Sequence, residues 1–279
     1  MSASREEMQA RWERAARGWG KRADRIREHG LPVSMWMIDH ANLQPGQRVL
    51  ELASGPGDTG FLAAELIEPG GTLVSSDASD AMLELARTRA DMFGVTNVEF
   101  ANLQLEWIDL PAASVDAALC RWGVMLCADP PAAVKEVRRV LRPGSRFALA
   151  VWDLPERNPW TTIPSRTLIE LGYTSPPDPD APSMFTLAAP GRLEALLEEA
   201  GFDDVEVDGV QLDRMYETID EWLGETYDLS VMFAGVYDGL DEQERRQVVE
   251  KMASLAEPYS QNDGALLLPG RSLVGAATA

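Results

Sequence analysis

Short apolar runs alternate with amphipathic segments through the middle of the chain. The predicted strands are residues 48–52, 72–76, 97–100, 115–119 and 145–152. The segments between them repeat their apolar residues at helical spacing, which predicts a helix through 63–66, a helix at 80–93 and a helix at 132–141. Strands that alternate with helices predict a parallel sheet covered by helices on both faces.

The pattern changes on both sides of this central region. Before it, residues 5–30 and 31–42 each show a helical pattern, and the first of the two is strongly charged. After it, residues 153–190 are rich in proline and polar residues and contain several breaks. The remaining predicted elements are a helix at 191–201, a strand at 203–211, helices within 217–257, and a hairpin around Pro269-Gly270 or one late strand within 265–277.

Composition and charge narrow the class of protein. The 279 residues carry a formal net charge of −20, which disfavours a nucleic-acid partner because a phosphate backbone selects basic surfaces. No apolar run approaches the roughly 20 residues that span a bilayer. The first residues lack the apolar core of a secretory signal, so we expect a cytoplasmic protein. Cys120 and Cys127 have neither CxxC spacing nor a neighbouring histidine, and no metal site is expected.

A glycine-rich turn follows the first strand. Gly55, Gly57 and Gly60 satisfy the pattern G-x-G-x-x-G, and they lie between a predicted strand and a predicted helix. Such glycines permit a tight turn and let a ligand approach the backbone closely. Asp77 ends the next strand about 20 residues later, where a carboxylate accepts hydrogen bonds from ribose hydroxyls. The arrangement predicts a dinucleotide or S-adenosylmethionine as the ligand.

Glu51 discriminates between a dinucleotide and S-adenosylmethionine as the ligand. It lies four residues before the first glycine, at the end of the first strand. A carboxylate there repels a pyrophosphate, whereas it attracts the ammonium and sulfonium groups of S-adenosylmethionine. The alternative is a structural one, in which Glu51 caps backbone N–H groups nearby.

The motifs around this turn resemble those of class I S-adenosylmethionine-dependent methyltransferases of the quinone-biosynthesis (ubiquinone/menaquinone) type. The resembling segments are residues 49–57, 76–83 and 140–145, in the order and spacing of that family. The resemblance implies a Rossmann-like, doubly wound and mostly parallel α/β sheet of seven strands, with helices on both faces and a helical cap. It implies S-adenosylmethionine as the cofactor and leaves the acceptor open.

The resemblance and the element pattern together predict how the chain is divided. We expect N-terminal lid helices at 1–42 and the S-adenosylmethionine-binding core at 43–152. Residues 153–279 then supply the rest of the core and a helical, acceptor-binding cap at about 212–260.

The resemblance also implies a set of cofactor contacts. Asp77 corresponds to the acid that holds the ribose, and Met82 to the residue that packs on the adenine. Where the family has an aspartate after the third strand, this chain has Gln104 and then Leu105. A glutamine carbonyl still accepts from an exocyclic amine, although an ordinary loop glutamine is the alternative. The full predicted set is Trp19, Glu51, Ala53, Ser54, Gly55, Gly57, Asp77, Ala78, Met82, Gln104, Leu105 and Cys120.

Two of the neighbouring residues have two interpretations each. Arg121, which follows Cys120 at the end of the fourth strand, either orients an anionic acceptor or pairs with a nearby carboxylate. Trp12 and Trp19 resemble the spacing of the family's lid helix. Trp19 either lies over the sulfonium, because an aromatic face attracts a cation, or packs in the core.

Methyl transfer is an in-line displacement that needs a base only when the acceptor must lose a proton. The two histidines of the chain, His29 and His40, both precede the first strand. His29, His40 and Arg121 are therefore the catalytic candidates, with a structural role for the histidines as the alternative. Weaker base candidates are Tyr216, Tyr227 and Glu225. Methylation of carbon, nitrogen or oxygen stays open, and we expect a small phenol, quinol, enol or keto acid as the acceptor.

Two other functions remain as alternatives. An NAD(P)-dependent oxidoreductase would also use the glycine turn, but none of the five tyrosines has the lysine of Tyr-x-x-x-Lys four residues later. A catalytically silent methyltransferase fold that senses a ligand would retain the same cofactor residues. The apolar run at 265–268 can pair with the sheet edge or with a second copy, so a homodimer is left open.

Overall fold

The structure, a computed structural model, describes residues 5–177 and 183–279. Residues 1–4 of the predicted lid and residues 178–182 of the predicted C-terminal part lie outside the described residues. The strands are β1 Arg48–Glu51, β2 Thr72–Asp77, β3 Val98–Asn102, β4 Val115–Arg121, β5 Leu141–Trp152, β6 Asp203–Gln211, β7 Arg214–Tyr216, β8 Leu266–Leu268 and β9 Arg271–Thr278. The α-helices are α1 Arg5–Lys21, α2 Ala23–His40, α3 Asp58–Leu66, α4 Asp80–Phe93, α5 Pro130–Val140, α6 Pro159–Glu170, α7 Arg192–Glu199, α8 Ile219–Leu229, α9 Val231–Asp238 and α10 Glu242–Ala256.

Seven strands form the main sheet, in the order β3-β2-β1-β4-β5-β9-β6. Strands β1 to β5 run parallel to one another, and β9 lies antiparallel between β5 and β6. Strands β2 and β3 follow on one side of β1, and β5 follows on the other side of β4, so the strand order reverses between β1 and β4. A crevice therefore forms at the carboxyl ends of these two strands. The predicted mostly parallel, doubly wound sheet of seven strands is confirmed.

The central strands are buried on both faces, which explains their continuous apolar sequence. The last six residues of β5, 147–152, are all buried, although neighbouring side chains point to opposite faces of the sheet. Helix α2 packs on α3 and against β5 and β9, while α5 packs on α7. The strand ends that carry the glycine turn are therefore held by a rigid, fully covered scaffold.

The two N-terminal helices meet at Arg22, and the predicted boundary at residue 30 is wrong. Pro32 lies inside α2, although a proline removes one hydrogen bond of the helix. Val33 and Met37 are buried on α2, which packs against α3, β5 and β9. This packing favours one continuous helix over a break at the proline.

A second group of elements, α6, α8, α9, α10, β7 and β8, forms a cap with its own apolar cluster. Helices α8, α9 and α10 lie in the region that the sequence predicts as helical, and α6 packs against α10. The sequence does not predict α6, because Pro159 and Pro164 obscure its apolar residues Ile163 and Leu168. A proline in the first turn costs little, since the N–H groups there have no partner in the helix. The cluster consists of Ile163, Leu168, Tyr216, Trp222, Phe233, Val248, Met252, Ala256, Leu266 and Leu268.

The late apolar segment at 265–277 is divided between two sheets. Strand β8 pairs with β7 in a small antiparallel sheet, and β9 enters the main sheet. The predicted hairpin is therefore wrong, and the alternative of a single strand accounts for β9 only. A Cβ atom on Gly270 would lie 2.6 Å from the carbonyl oxygen of Leu212, so the chain passes between the two sheets where a side chain has no room.

Candidate active site

The glycine turn joins β1 to α3 at the crevice. Gly55 and Gly57 have φ values of 51° and 90°, in the left-handed region that favours glycine. A Cβ atom on Gly57 would lie 2.4 Å from Cζ of Phe61, whereas a Cβ atom on Gly55 would meet no other described atom within 4 Å. The turn therefore packs against the protein at Gly57 and leaves open space at Gly55.

Glu51 ends β1 beneath this turn and is buried. Its Oε1 accepts a hydrogen bond from the backbone N–H of Gly60 at 2.7 Å, and its Oε2 accepts one from the hydroxyl of Ser75 at 3.2 Å. Burial raises the pKa of Glu51 to about 7, while the bond from Gly60 and the charge of Arg121 oppose that rise. Glu51 thus caps a backbone N–H group, as the structural alternative holds, and its contact with a cofactor stays a prediction.

Asp77 ends the neighbouring strand, β2, and connects two turns. Its carboxylate accepts from the backbone N–H of Gly55 at 2.9 Å and from that of Ser79 at 2.9 Å. Burial raises the pKa of Asp77, and these backbone bonds oppose the rise. The carboxylate is thereby fixed beside the open side of the glycine turn.

The backbone at the crevice is strained at two residues. Ala53, just after β1, has φ 51°, and Trp122, just after β4, has φ 60°. Side-chain-bearing residues in this region cost free energy and persist only where the surroundings fix them, often at functional sites. A Cβ atom on Gly123 would lie 2.6 Å from Cβ of Ala53, so the two loops touch. Ser54 is buried between β1 and the glycines, and its Oγ has no hydrogen-bond partner among the described residues.

Met82 and Trp19 lie together where α1 crosses α4. Met82 is buried against Ala15 and Ala16 of α1. Trp19 packs in the same cluster and lies edge-on to Trp12, with ring centroids 5.5 Å apart. This is the packing alternative for Trp19, and its contact with a sulfonium stays a prediction.

The loop after β3 reaches the end of β2, where Gln104 and Leu105 are predicted to hold the adenine. The backbone N–H of Leu103 donates to the carbonyl of Asp77 at 3.3 Å. Leu105 lies 3.5 Å from the Cβ position of Gly123, which places it at the end of β4. The residue after Asp77, Ala78, is half-buried at the same edge.

The end of β4 carries Cys120 and Arg121. Cys120 is buried, and burial raises the pKa of its thiol to about 12, so the thiol is protonated at neutral pH. The Arg121 guanidinium donates to Oγ of Ser34 at 3.1 Å and to the carboxylate of Asp58 at 3.3 Å. Of the two interpretations of Arg121, the structure contains the ion pair, and contact with an anionic acceptor stays a prediction.

His40 lies away from the crevice, and its catalytic role stays a prediction. Its backbone carbonyl accepts from the side chain of Arg146, four residues before Ala150 on β5. Ala150 is the residue that pairs with Arg121, and four residues of strand span about 13 Å. The His40 ring stacks on Trp36 at 3.7 Å. The i, i+4 spacing on α2 therefore builds a local stack, far from the carboxyl ends of the strands.

His29 is placed nearer. It precedes Gly30, where a Cβ atom would lie 2.2 Å from the Arg121 guanidinium. The His29 ring lies edge-on to Tyr216, and its buried Nδ1 has no hydrogen-bond partner among the described residues. Burial, followed by the charge of Arg214, lowers the pKa of His29 to about 4, so the imidazole is neutral at physiological pH. A catalytic role for His29 stays a prediction.

The weaker base candidates have partners within the cap or face solvent. The Tyr216 hydroxyl donates to Oε1 of Glu225 at 2.8 Å, and Arg214 binds the same oxygen at 2.9 Å. Arg25 of α2 contacts the other oxygen of Glu225 at 2.6 Å. Burial also raises the pKa of Tyr216. Tyr227 is exposed. A role for any of these three side chains as a base stays a prediction.

Two residues that the sequence does not single out organise the site. Asp58, the first residue of α3, is buried and binds both Arg89, at 2.8 Å, and Arg121. Ser34 of α2 shares a hydrogen bond with Thr59 at 2.9 Å. The signal for Asp58 is its position inside the glycine pattern, directly after Gly57, whereas nothing in the sequence marks Ser34.

The crevice fits an adenosyl ligand that carries a cationic amino-acid end. Open space at Gly55 lets a ligand approach the backbone. The unpartnered hydroxyl of Ser54 offers a hydrogen bond, and Glu51 and Asp77 place two carboxylates at the ends of adjacent strands. A cation and ribose hydroxyls are the groups that such carboxylates bind.

Within 5–177 and 183–279, no three His, Cys, Asp or Glu side chains are grouped so that they could hold a metal ion. None of the helices described there combines the length and the apolar character that crossing a membrane requires.

Comparisons with known proteins agree with this description. A family model described as a methyltransferase domain matches residues 43–168. An uncharacterized 37.1 kDa protein in a transposon of Streptomyces fradiae is 36% identical over 120 residues, which cover 42% of this chain and 34% of that protein. The ubiquinone/menaquinone biosynthesis C-methyltransferase of Shewanella oneidensis is 27% identical over 181 residues, which cover 61% of this chain and 72% of that enzyme. The matched region thus spans about a third of the first relative and under three quarters of the second.

Solved structures show the same fold. The YcgJ protein of Bacillus subtilis superimposes with a TM-score of 0.55 and 22% sequence identity. The superposition covers 88% of this chain and 97% of that one. At this identity the likeness concerns the fold alone.

Proposed function

We propose that this chain is a class I S-adenosylmethionine-dependent methyltransferase that transfers the cofactor's methyl group to a small-molecule acceptor. The proposed acceptor is a phenol, quinol, enol or keto acid. Its nucleophilic atom would attack the methyl carbon in line with the bond that breaks.

The observation that carries this proposal is the arrangement of two carboxylates around the glycine turn. Glu51 and Asp77 end adjacent parallel strands, and each accepts a backbone N–H bond from the turn or from the helix that follows it. A pyrophosphate would meet negative charge here, whereas a cationic ligand meets attraction. The arrangement therefore favours S-adenosylmethionine over a nicotinamide dinucleotide.

The proposed contacts follow the polarity of each group. Asp77 would hold the ribose, Gln104 the adenine amine, and Glu51 the cationic amino-acid end, while the open side of Gly55 would admit the ligand to the backbone. When bound, the cofactor supplies a methyl group that its positively charged sulfur has already activated.

The protein's remaining part is to orient the acceptor and to exclude water. Holding two reactants in line contributes several kcal/mol, about 7 at the low end of the known range. Among the described side chains at the crevice, His29 is neutral, and a pKa of about 4 makes it a weak base. An acceptor that ionises easily suits such a site best.

Calorimetry tests this proposal directly. Purified protein is titrated with S-adenosylmethionine, S-adenosylhomocysteine, NAD and NADP, together with the variants Gly55→Val and Asp77→Ala. We expect micromolar binding of the two adenosyl ligands to the natural protein and its loss in both variants. Acidic phenols, quinols and keto acids are then screened with isotopically labelled cofactor.

Gly46→Val is the matched control. Gly46 also has a left-handed φ, of 85°, and a Cβ atom there meets no other described atom within 4 Å, but it precedes β1 on the side away from the turn. It should retain cofactor binding at temperatures where it is folded. Binding of a nicotinamide cofactor alone would favour an oxidoreductase. Adenosyl binding without transfer to any acceptor would favour a ligand-sensing protein.

A further inference from the structure

Arg121 and Glu51 lie on the same face of the main sheet. Glu51 of β1 is paired in register with Leu119 of β4. Arg121 is two residues beyond Leu119, and side chains two apart on a strand point to the same face. Both side chains therefore point toward the first turn of α3, where each has a hydrogen-bond partner.

The Arg121 guanidinium is held in one place by its surroundings. It donates to Ser34 of α2 and to Asp58 of α3, and it lies 4.8 Å from the centre of the Trp122 ring. Its side chain is only 8% exposed, and the absent side chain of Gly30 provides its space. Because a guanidinium does not lose its proton in proteins, Arg121 is a fixed positive charge.

Asp58 does not neutralise that charge by itself. Its other oxygen binds Arg89 of α4 at 2.8 Å, which is shorter than the 3.3 Å contact to Arg121. Two arginines thus share the buried carboxylate of Asp58, and Arg89 also binds the exposed Asp24 at 3.1 Å. Among the described residues, Arg121 has only this shared carboxylate as its counter-charge, and its positive charge acts on Glu51.

Few other charged groups face Glu51. The negative charge of Asp58 acts on it from α3 and raises its pKa, and the positive charge of Arg121 acts from β4 and lowers it. The thiol of Cys120 on β4 is protonated. From β2 the contact is the neutral hydroxyl of Ser75, and the carboxylate of Asp77 lies two residues further along the same face of that strand.

Burial has the largest effect on the pKa of Glu51 and raises it, whereas the bond from Gly60 and then the charge of Arg121 lower it. Loss of the Arg121 charge would therefore raise the pKa of Glu51 further.

We propose that Arg121 is a positioning residue that keeps Glu51 ionised, so that Glu51 presents a negative charge to the cationic amino-acid end of the cofactor. This inference rests on the proposed function, because its ligand is S-adenosylmethionine. Arg121 acts through Glu51 and need not touch the ligand.

The direction of the pH effect follows from the chemistry of the two groups. Glu51, whose pKa is about 7, gains a proton as the pH falls through neutrality, and attraction for a cation is then lost. Replacing Arg121 by glutamine removes a positive charge and moves this loss to higher pH. At acidic pH the variant should bind the cofactor about tenfold more weakly, and at neutral pH about fivefold, which corresponds to a pKa shift of about one unit.

The test is the ratio of cofactor dissociation constants, variant over natural protein, measured by calorimetry from about pH 6 to about pH 9. For Arg121→Gln we expect a ratio of about ten at the acid end that approaches one at the alkaline end. The ligand's own amino group titrates in this range, but it affects numerator and denominator alike. A merely structural role would give the same ratio at every pH.

Three comparisons sharpen the test. Arg121→Lys keeps the charge and should restore a ratio near one. Arg89→Gln removes the other arginine from Asp58 and should give a ratio that is nearly independent of pH. Asp58→Asn keeps the shape but removes the negative charge, so its binding should persist to lower pH than that of the natural protein. This last variant tests the proposal even if Arg121→Gln does not fold.

A second ligand distinguishes failure of the proposed function from failure of the role inferred for Arg121. Methylthioadenosine lacks the amino-acid end, and its ratio for Arg121→Gln should stay constant over the pH range. If the natural protein binds neither adenosyl ligand, the proposed function and this inference both fall. If it binds both S-adenosylmethionine and methylthioadenosine, but Arg121→Gln or Asp58→Asn changes the binding of S-adenosylmethionine by the same factor at every pH, only the role of Arg121 is overturned.

Discussion

The contact between Glu51 and the backbone of Gly60 leaves no space for a side chain at residue 60. A Cβ atom there would lie 2.1 Å from Oε2 of Glu51. We expect Gly60→Ala to displace the carboxylate, to lower the free energy of unfolding by about 1–3 kcal/mol and to weaken cofactor binding. Thermal melting and calorimetry measure the two effects.

Gly235→Ala is the control for that substitution. Gly235 is exposed within α9, and a Cβ atom there meets no other described atom within 4 Å. The free energy of unfolding should rise by about 0.5–1 kcal/mol, because alanine is the better helix former. A Gly60→Ala protein that melts and binds like the natural one would contradict the proposed contact.

The buried state of His29 makes the stability of the protein depend on pH. The folded protein keeps His29 neutral down to about pH 4, whereas in the unfolded chain it gains a proton near 6.5. Between these values the unfolded state binds more protons, so the free energy of unfolding falls as the pH falls. His29→Gln should lose this part of the pH dependence, measured as urea midpoints near pH 7 and near pH 4.5.

His40→Gln provides the comparison, since His40 is the other histidine of the chain and stacks on Trp36. Carboxylates that titrate in the same range contribute equally to both variants. Identical pH profiles for His29→Gln and the natural protein would show that His29 is not held neutral by the fold.

Single residues differed in how far the sequence could predict them. Gly55, Gly57 and Asp77 could be placed because a left-handed turn and a strand end tie each to one position. The histidines could not, since one helix carries both and only its packing decides which end lies at the crevice. His29 lies beside Gly30, which touches Arg121, while His40 lies ten residues beyond Gly30, about 15 Å along α2.

Helix α4 receives part of its N-terminal cap from another helix. Ser79 accepts from the N–H of Met82, as an N-cap residue does, but the N–H groups of Asp80 and Ala81 donate to Glu13 of α1. We expect Glu13→Ala to cost about 1 kcal/mol and to loosen α1 from α4. Hydrogen exchange of the amides of α1 and of the first turn of α4 should speed up together.

Glu28→Ala on α2 is the matched change, because Glu28 is exposed. Its exchange pattern should be that of the natural protein. Faster exchange in α1 without any change in the first turn of α4 would contradict the shared cap.

Whole elements were predictable where one pattern dominated. The strands that became β1, β2 and β4 were found because burial on both faces requires continuous apolar residues. Helix α6 was missed because its prolines are the local signal for a break, and the stability of α6 comes from packing on α10. The division between β8 and β9 depends on which sheet offers a free edge, and that is decided by residues far away in the chain.

The protein has two apolar clusters, one around the main sheet and one in the cap. Val137 of α5 and Val248 of α10 are both fully buried, the first in the main cluster and the second in the cap cluster. Either change to alanine should cost about 2 kcal/mol through lost burial and the cavity that remains. Native-state hydrogen exchange should show faster exchange in α6, α8 and α10 for Val248→Ala, and in the strands for Val137→Ala.

Cofactor binding by these two variants can be compared directly. Cofactor binding should survive Val248→Ala better than Val137→Ala at equal loss of stability. The reason is that Glu51, Asp77 and the glycine turn lie at the ends of strands that the main cluster supports. Faster exchange throughout the molecule in both variants would indicate a single cooperative unit.

The position of β9 has a consequence for how the protein is made. Strand β9 follows the whole cap in the chain, yet it lies between β5 and β6 and pairs with both. On the ribosome, the edge of β5 that pairs with β9 would therefore remain unpaired while more than a hundred further residues are synthesised. Exposed strand edges promote association with other chains. The nascent chain should depend on chaperones until residues 271–278 emerge, after which the sheet closes around its last strand.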